Sequence, residues 1–315
     1  MGKVVVKMCG IGGVYALYGD NLTEEDAKRV KKLTIFLQRR GTDATGWFDG
    51  QNVIKMPLPA YEFVIIIESI TSIEEFVKDK EMILIHTRAY TRGSPLENKN
   101  NHPFELKDIV FAHNGIIAGA PLYKDIREKG KEKENKSKNE TKNKNIKIYY
   151  SYEENVEYID TKEILGKITF DLPETDSFHI GVKIQEEINK GKSFKNALVS
   201  ALEELVLQGS MALWIIEKET ERLALFRCDN PLFIAEEDGK VWFASENWML
   251  KKIGLKNIEE LEECKLVIYD KDGDIEEEYI APSCYYSRYY YYDEEDYCYC
   301  RRRDEEIEWY RRFFW

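Results

Sequence analysis

Cys9 stands directly after Met8 and ahead of Gly10-Ile11-Gly12-Gly13, a glycine-rich stretch leading into an expected strand. If translation starts at Met8 and that methionine is removed, or if residues 1–8 are cleaved as a leader, Cys9 exposes a thiol and a free α-amine together. An α-amine has a reference pKa of about 7.7 to 8.0, close enough to a thiol's to accept its proton near neutrality. One residue then supplies both nucleophile and base, with no histidine partner required. With its amine locked in a peptide bond the same thiol has lost that base, so a retained leader predicts inactivity. For an arbitrary cysteine the commoner role is that of a small buried apolar residue, and Met-Cys-Gly alone does not decide between the two.

Four further segments contain residues suited to chemistry: Arg40 to Gly46 (RGTDATG), His86 to Gly93 (HTRAYTRG), Asn101-His102-Pro103 and His113-Asn114-Gly115. Read alone, Asn114-Gly115 is the favoured dipeptide of a two-residue hairpin turn. Arg88 on its own is an exposed strand arginine, and Asp176 in Glu174-Thr175-Asp176-Ser177 is a helix N-cap. His86, His102 and His113 fall on separate segments without a close ligand pair, so no metal is expected there. Cys9, Cys228 and Cys264 are isolated, while Cys284, Cys298 and Cys300 crowd the end without an obvious fourth zinc ligand. Such cysteines make no framework for a disulfide-stapled fold.

The elements that must position these groups are legible in outline. Short apolar runs at Val64–Ile67, Met82–Ile85, Ala212–Ile216 and Leu223–Phe226 read as buried strands. Thr23 followed by Glu24, Glu25 and Asp26 suits a helix start, with Val30, Leu33 and Leu37 at helical spacing, so a helix is expected over Glu24–Arg39. A second helical region is expected from Ser177 to Leu207, broken near Gly191 and restarted by Ser193. Asp238-Gly239 and Asp272-Gly273 mark hairpins in a strand-rich C-terminal half. The pattern is α+β with antiparallel sheets.

Composition narrows the function. The chain has 315 residues, enough for one large or two ordinary domains, with 46 basic and 58 acidic residues and a formal charge of −12. A phosphate backbone meets net repulsion, so nucleic-acid binding is disfavoured. No apolar run approaches the roughly 20 residues of a bilayer-spanning helix, and Met1 to Lys7 is too short for a secretory signal, which makes a cytoplasmic location the expectation. Residues 124–147 are almost entirely Lys, Glu and Asn and are expected to form a flexible insertion, since ordering them returns little burial. Residues 283–315 form a tail of tyrosines, cysteines and charges ending in Phe-Phe-Trp.

In their order and spacing these segments resemble the class II glutamine amidotransferase domain, an N-terminal-nucleophile family that includes glucosamine-fructose-6-phosphate aminotransferase and amidophosphoribosyltransferase. The likeness runs from Cys9 to about Leu266 and takes in Asn230-Pro231-Leu232 and Ala244-Ser245-Glu246. It implies a four-layer αββα sandwich, two stacked antiparallel sheets between helical layers, spanning residues 9–282. It also implies that Cys9 attacks the side-chain amide of L-glutamine, passes through an oxyanion to a thioester, and releases ammonia.

The same resemblance assigns roles. Asn114 and Gly115 match the oxyanion hole, Arg88 the group that grips the substrate α-carboxylate, and Asp176 the acid that holds its α-ammonium. Thr91 and Gly93 complete the substrate pocket, while Asp43 and Gly46 shape the fold. No cofactor and no metal are implied. The aminosugar-forming branch usually carries tryptophan and histidine where this chain has Ala89 and Arg92. After Pro282 too few residues remain for an acceptor domain, so the ammonia is expected to reach a separate synthase or acceptor-binding partner. Two other readings stay open: an N-terminal-nucleophile hydrolase of a different amide, and a catalytically silent binding module that retains residues 1–8.

Overall fold

A computed structural model describes residues 8–129, 155–168 and 171–281 of the chain. Residues 1–7 of the expected leader or mis-assigned start at 1–8, most of the expected insertion and the Tyr/Cys-rich tail lie outside these residues. Strands β1 (Gly10–Ala16), β2 (Ala44–Phe48), β3 (Val53–Met56), β4 (Met82–Arg88), β11 (Phe233–Glu237), β12 (Lys240–Ala244) and β13 (Glu259–Glu260) form one sheet. Its order is β13-β11-β12-β1-β4-β2-β3, with β1 at the centre. Strands β5 (Phe104–Glu105), β6 (Ile109–Ile117), β9 (Gly209–Glu217), β10 (Leu223–Cys228), β14 (Lys265–Tyr269) and β15 (Ile275–Tyr279) form the second, ordered β15-β14-β10-β9-β6-β5. Every pairing in both sheets is antiparallel.

Side-chain alternation along the strands sorts residues into three cores. In β1, Ile11 and Tyr15 face the second sheet, whereas Val14 and Ala16 face helices. In β9, Ala212, Trp214 and Ile216 meet the first sheet, and Met211, Leu213 and Ile215 face away from it. Both faces of these strands are buried, which is why Met82–Ile85, Ala212–Ile216 and Leu223–Phe226 are unbroken apolar runs. Helix α1 (Glu24–Leu37), α2 (Ala60–Ile70), α3 (Ile73–Val77) and α7 (Asn247–Lys252) cover the outer face of the first sheet. Helix α5 (Ser177–Asn189) and α6 (Phe194–Leu205), preceded by the short α4 (Thr161–Leu165), cover the second. The result is the expected αββα sandwich.

Local chemistry explains the boundaries. Thr23 and Asp26 form a reciprocal capping box at the start of α1, and the helix ends at Leu37, two residues before the expected stop. Between β11 and β12, Asp238 and Gly239 both have positive φ, +52° and +67°, as a tight hairpin turn demands. Ser193 precedes α6 as expected but makes no side-chain capping bond.

Three expectations are corrected. Val64–Ile67 is not a strand: it lies within α2, where Phe63, Val64 and Ile67 are buried while Ile65 and Ile66 point outward. Four apolar residues in a row fit either period, and it is the buried set Ala60, Phe63, Val64 and Ile67, at i, i+3, i+4 and i+7, that matches a helix. Lys124 and Asp125 belong to β7 (Leu122–Asp125), not to the insertion. That strand pairs in parallel with β8 (Val156–Ile159), a departure from an all-antiparallel fold. Asp125 is held there by Arg127, at 2.6 and 2.7 Å, and by the Thr161 hydroxyl at 2.6 Å. No helix among the described residues is long and apolar enough to cross a membrane.

Candidate active site

Cys9 sits at the head of the central strand, half-buried, with its Sγ 3.5 Å from the carbonyl oxygen of Ala89. Its own carbonyl oxygen accepts from Arg40 Nε at 2.8 Å, and the amide of Met8 donates to Arg40 O at 3.1 Å. Burial pushes the thiol up to about 11, against the lowering effect of the Ala89 contact and the Arg88 and Arg40 charges; Asp176 raises it further. Joined to Met8, Cys9 therefore carries a protonated sulfur at neutral pH.

Asn114-Gly115 is not a hairpin turn: both residues lie inside β6, opposite Ala212 and Met211 of β9. The Asn114 carboxamide is buried, and in the orientation that satisfies both its ends Nδ2 lies 2.9 Å from Cys9 O and Oδ1 3.3 Å from Arg40 NH2. Its backbone oxygen accepts from Asn230 Nδ2 at 3.1 Å. Gly115 has a φ of +153°, and a Cβ there would stand 2.0 Å from Ser210 O, so only glycine lets the strands pair this closely.

Arg88 ends β4 and is buried rather than exposed. Its guanidinium donates through NH1 to Asn101 Oδ1 at 2.8 Å and through NH2 to the carbonyls of Arg92 and Gly93 at 2.5 and 2.9 Å. Burial depresses its pKa, opposed by the nearby Cys9, Asp43 and Asp176. Gly93 thus meets Arg88 through its backbone, with a φ of +73°, and Thr91 is exposed on the same turn. Arg92 reaches across to donate to Ala120 O at 3.1 Å. Gly41 lets the loop after α1 press on β4, since a Cβ there would be 2.3 Å from the Arg88 carbonyl carbon.

Asp176 is the N-cap of α5, as its position suggests. Oδ1 accepts from Ser177 N at 2.9 Å and Oδ2 from Ile117 N at 2.8 Å, tying the carboxylate to the end of β6. Asp43 accepts from Tyr90 N at 2.9 Å, and a Cβ on Gly46 would stand 2.2 Å from His102 O, so both do shape the loops.

Further residues brace the site without any sequence signal of that role, although several lie in the motif segments. Arg40 joins Cys9, Asn114 and Glu246, its NH1 donating to Glu246 Oε1 at 2.9 Å. Ser245 Oγ accepts from Ile11 N at 2.9 Å, fixing the strand behind the cysteine. Lys55 donates to Asn101 O at 2.6 Å and Pro103 O at 3.0 Å, bracing the segment that holds Arg88. Burial lowers the Lys55 pKa to about 8.

The histidines are closer than their spacing implied. The rings of His86 and His102 stack with centroids 4.0 Å apart, and His86 Nε2 lies 3.1 Å from His113 O. Burial holds His86 down to about 3 and His102 and His113 below the ordinary histidine value. Cys228 and Cys264 are likewise not isolated: their sulfurs are 3.2 Å apart, with Glu263 beside them.

Solved structures share this fold. Glutamine phosphoribosylpyrophosphate amidotransferase from B. subtilis, complexed with ADP and GMP, aligns with a TM-score of 0.53 at 15% identity, over 87% of this chain and 49% of that one. A structure described as the allosteric regulatory enzyme of purine biosynthesis aligns with a TM-score of 0.54 at 16% identity, again over 87% and 49%. The chain spans about half the length of either. No protein-family model matches the sequence, and no curated protein matches it. The fold these two enzymes share with the chain is the pair of antiparallel sheets stacked between helical layers.

Proposed function

We propose that the chain is a glutamine amidohydrolase of the class II amidotransferase type, acting through Cys9 once residues 1–8 are gone. The observation that carries this reading is convergence: Asn114 contacts Cys9 O, Cys9 Sγ lies against the carbonyl of Ala89 next to Arg88, and Asp176 is bonded to the end of the strand that carries Asn114.

A thiol raised by burial needs a local base. The freed α-amine of Cys9 takes the Sγ proton, and the thiolate attacks the carboxamide carbon of glutamine. The carbonyl oxygen becomes an oxyanion, stabilised by Asn114 Nδ2 and the Gly115 N–H. Collapse passes the amine's proton to the leaving nitrogen, ammonia departs and a thioester remains. Water then attacks the thioester, returning the proton to Sγ and releasing glutamate.

Arg88 receives the α-carboxylate. A carboxylate arriving at NH2 competes with the Arg92 and Gly93 carbonyls, and a charge-assisted bond is the stronger partner. Asp176 faces the α-ammonium, and Thr91 and Gly93 border the pocket from the exposed turn. The ammonia serves an acceptor on a separate partner.

The test is glutamate release from L-glutamine by the chain beginning at Cys9, compared with the same chain retaining Met8 and with Cys9→Ala. Turnover by the Met8-retaining chain, or survival of activity in Cys9→Ala, would refute the mechanism.

A further inference from the structure

Strands β10 and β14 pair antiparallel, with Leu223 opposite Tyr269 and Phe226 opposite Leu266. Continuing that register sets Cys228 opposite Cys264, and the Cys264 amide donates to Arg227 O at 2.9 Å. Directly opposed residues of an antiparallel pair project to the same face. Accordingly the two sulfurs lie 3.2 Å apart in the core beneath α5 and α6.

Glu263 makes this a candidate for a soft cation, since its carboxylate lies within 4.8 Å of both sulfurs. That carboxylate is already engaged. Arg227 donates to Oε2 and the Asp229 amide to Oε1, and a cation entering here would meet the guanidinium. Two opposed thiols, with the one nearby carboxylate among the described residues already engaged, favour sulfur–sulfur chemistry over metal binding.

We propose that Cys228 and Cys264 form a reversible dithiol–disulfide pair, closed by exchange with a small-molecule disulfide. The thiolate of one cysteine attacks a sulfur of the small disulfide, whose S–S bond breaks and releases one small thiolate. The second cysteine, giving its proton to solvent, attacks the resulting mixed disulfide at the protein sulfur. The Cys228–Cys264 bond forms, a second small thiolate leaves, and the small disulfide has been reduced by two electrons. Both cysteines are buried, so exchange proceeds through local opening at the exposed Asp229.

The bond staples a segment that matters to the site. Between the two cysteines lie Asn230, which holds Asn114 O, Ser245, which holds the Ile11 amide, and Glu246, which holds Arg40. The proposal does not depend on the glutamine reading.

The full chain is equilibrated in buffers of oxidised and reduced glutathione, acid-quenched, alkylated with N-ethylmaleimide, digested and mapped by mass spectrometry. The expected result is a Cys228–Cys264 linked peptide that vanishes in Cys228→Ser and in Cys264→Ser, while Cys9 stays alkylatable. Closure raises the thermal midpoint by about 5 to 10 °C in the wild type only. Refolding from urea in the same buffers removes protection by burial. If both cysteines are still alkylated there, or either pairs instead with Cys284, Cys298 or Cys300, the proposal is overturned. It is also overturned if the untreated chain retains zinc in a Cys228-dependent manner, and a cross-link without a raised midpoint overturns the staple.

Discussion

The side-chain nitrogen of Asn114 lies 2.9 Å from the carbonyl oxygen of Cys9, while Arg40 spans both residues from the turn after α1. On the proposed mechanism, the oxyanion donor is therefore registered against the backbone of the attacking residue itself. Replacing Asn114 by Ala should lower kcat for glutamine hydrolysis about 100- to 1,000-fold, the usual loss for one oxyanion donor, with KM moving much less. Steady-state glutamate release checks it.

Gly115→Ala should act on the fold as well as the rate. Its new Cβ would press on Ser210 O at 2.0 Å, forcing β6 and β9 apart beside Asn114. A stability loss of about 1 to 3 kcal/mol is expected, read as a lowered urea midpoint, together with loss of activity.

The free amine of Cys9 should govern the pH profile. In the chain beginning at Cys9, kcat/KM is expected to rise as pH climbs through about 7.5 to 8, where an α-amine loses its proton. In the chain retaining Met8 the thiol ionises only near 11, so no such rise should occur over the same range. Stopped assays of both forms across about pH 6 to 9, a span bracketing the amine's ordinary pKa, distinguish them.

Lys55 braces the segment that holds Arg88, the proposed carboxylate receptor. It holds Asn101 and Pro103 through their carbonyls, and Asn101 in turn fixes the Arg88 guanidinium. Lys55→Met should raise KM for glutamine several-fold with kcat nearly unchanged, and Lys55→Arg should restore part of it. Arg88→Lys, which loses the planar fork, should raise KM further.

Stability should fall with acid through the stacked histidines. His86 and His102 are buried neutral, with folded pKa values below the ordinary value of about 6.5, so between those values the unfolded chain binds more protons. Their contribution is complete above about pH 6.5 and is lost as pH falls toward the folded value, near 3 for His86. Each can cost up to about 1.4 kcal/mol per pH unit in that window. Urea melts of the wild type and of His102→Gln between about pH 7 and 4 should show a shallower slope for the variant.

Much of the sandwich was legible because its strands follow simple rules. Met82–Ile85 and Leu223–Phe226 are apolar on both faces, and Asp238-Gly239 names its own turn. Val64–Ile67 misled because four apolar residues carry no period. At the candidate site, motif order brought forward Cys9, Arg88, Asn114 and Asp176, and the motif segments also held the braces Arg40, Asn230, Ser245 and Glu246, though not what they brace. Lys55 and Asn230 act through hydrogen bonds that cross the fold, and no local pattern announces such a bond. The Cys228–Cys264 approach was equally hidden, since it depends on the register of β10 against β14 rather than on cysteine spacing.

Strand β1 has three neighbours on either side in its sheet, and its rungs begin at Gly10, opposite Thr87. Scission of the bond joining Met8 to Cys9 would sever no rung of that ladder, because β4 and β12 grip the strand only from Gly10 and Gly12 onward. If residues 1–8 are removed as proposed, that step would break the hydrogen bond from the Met8 amide to Arg40 O but no sheet rung, and the shortened chain should keep essentially the architecture of the longer one.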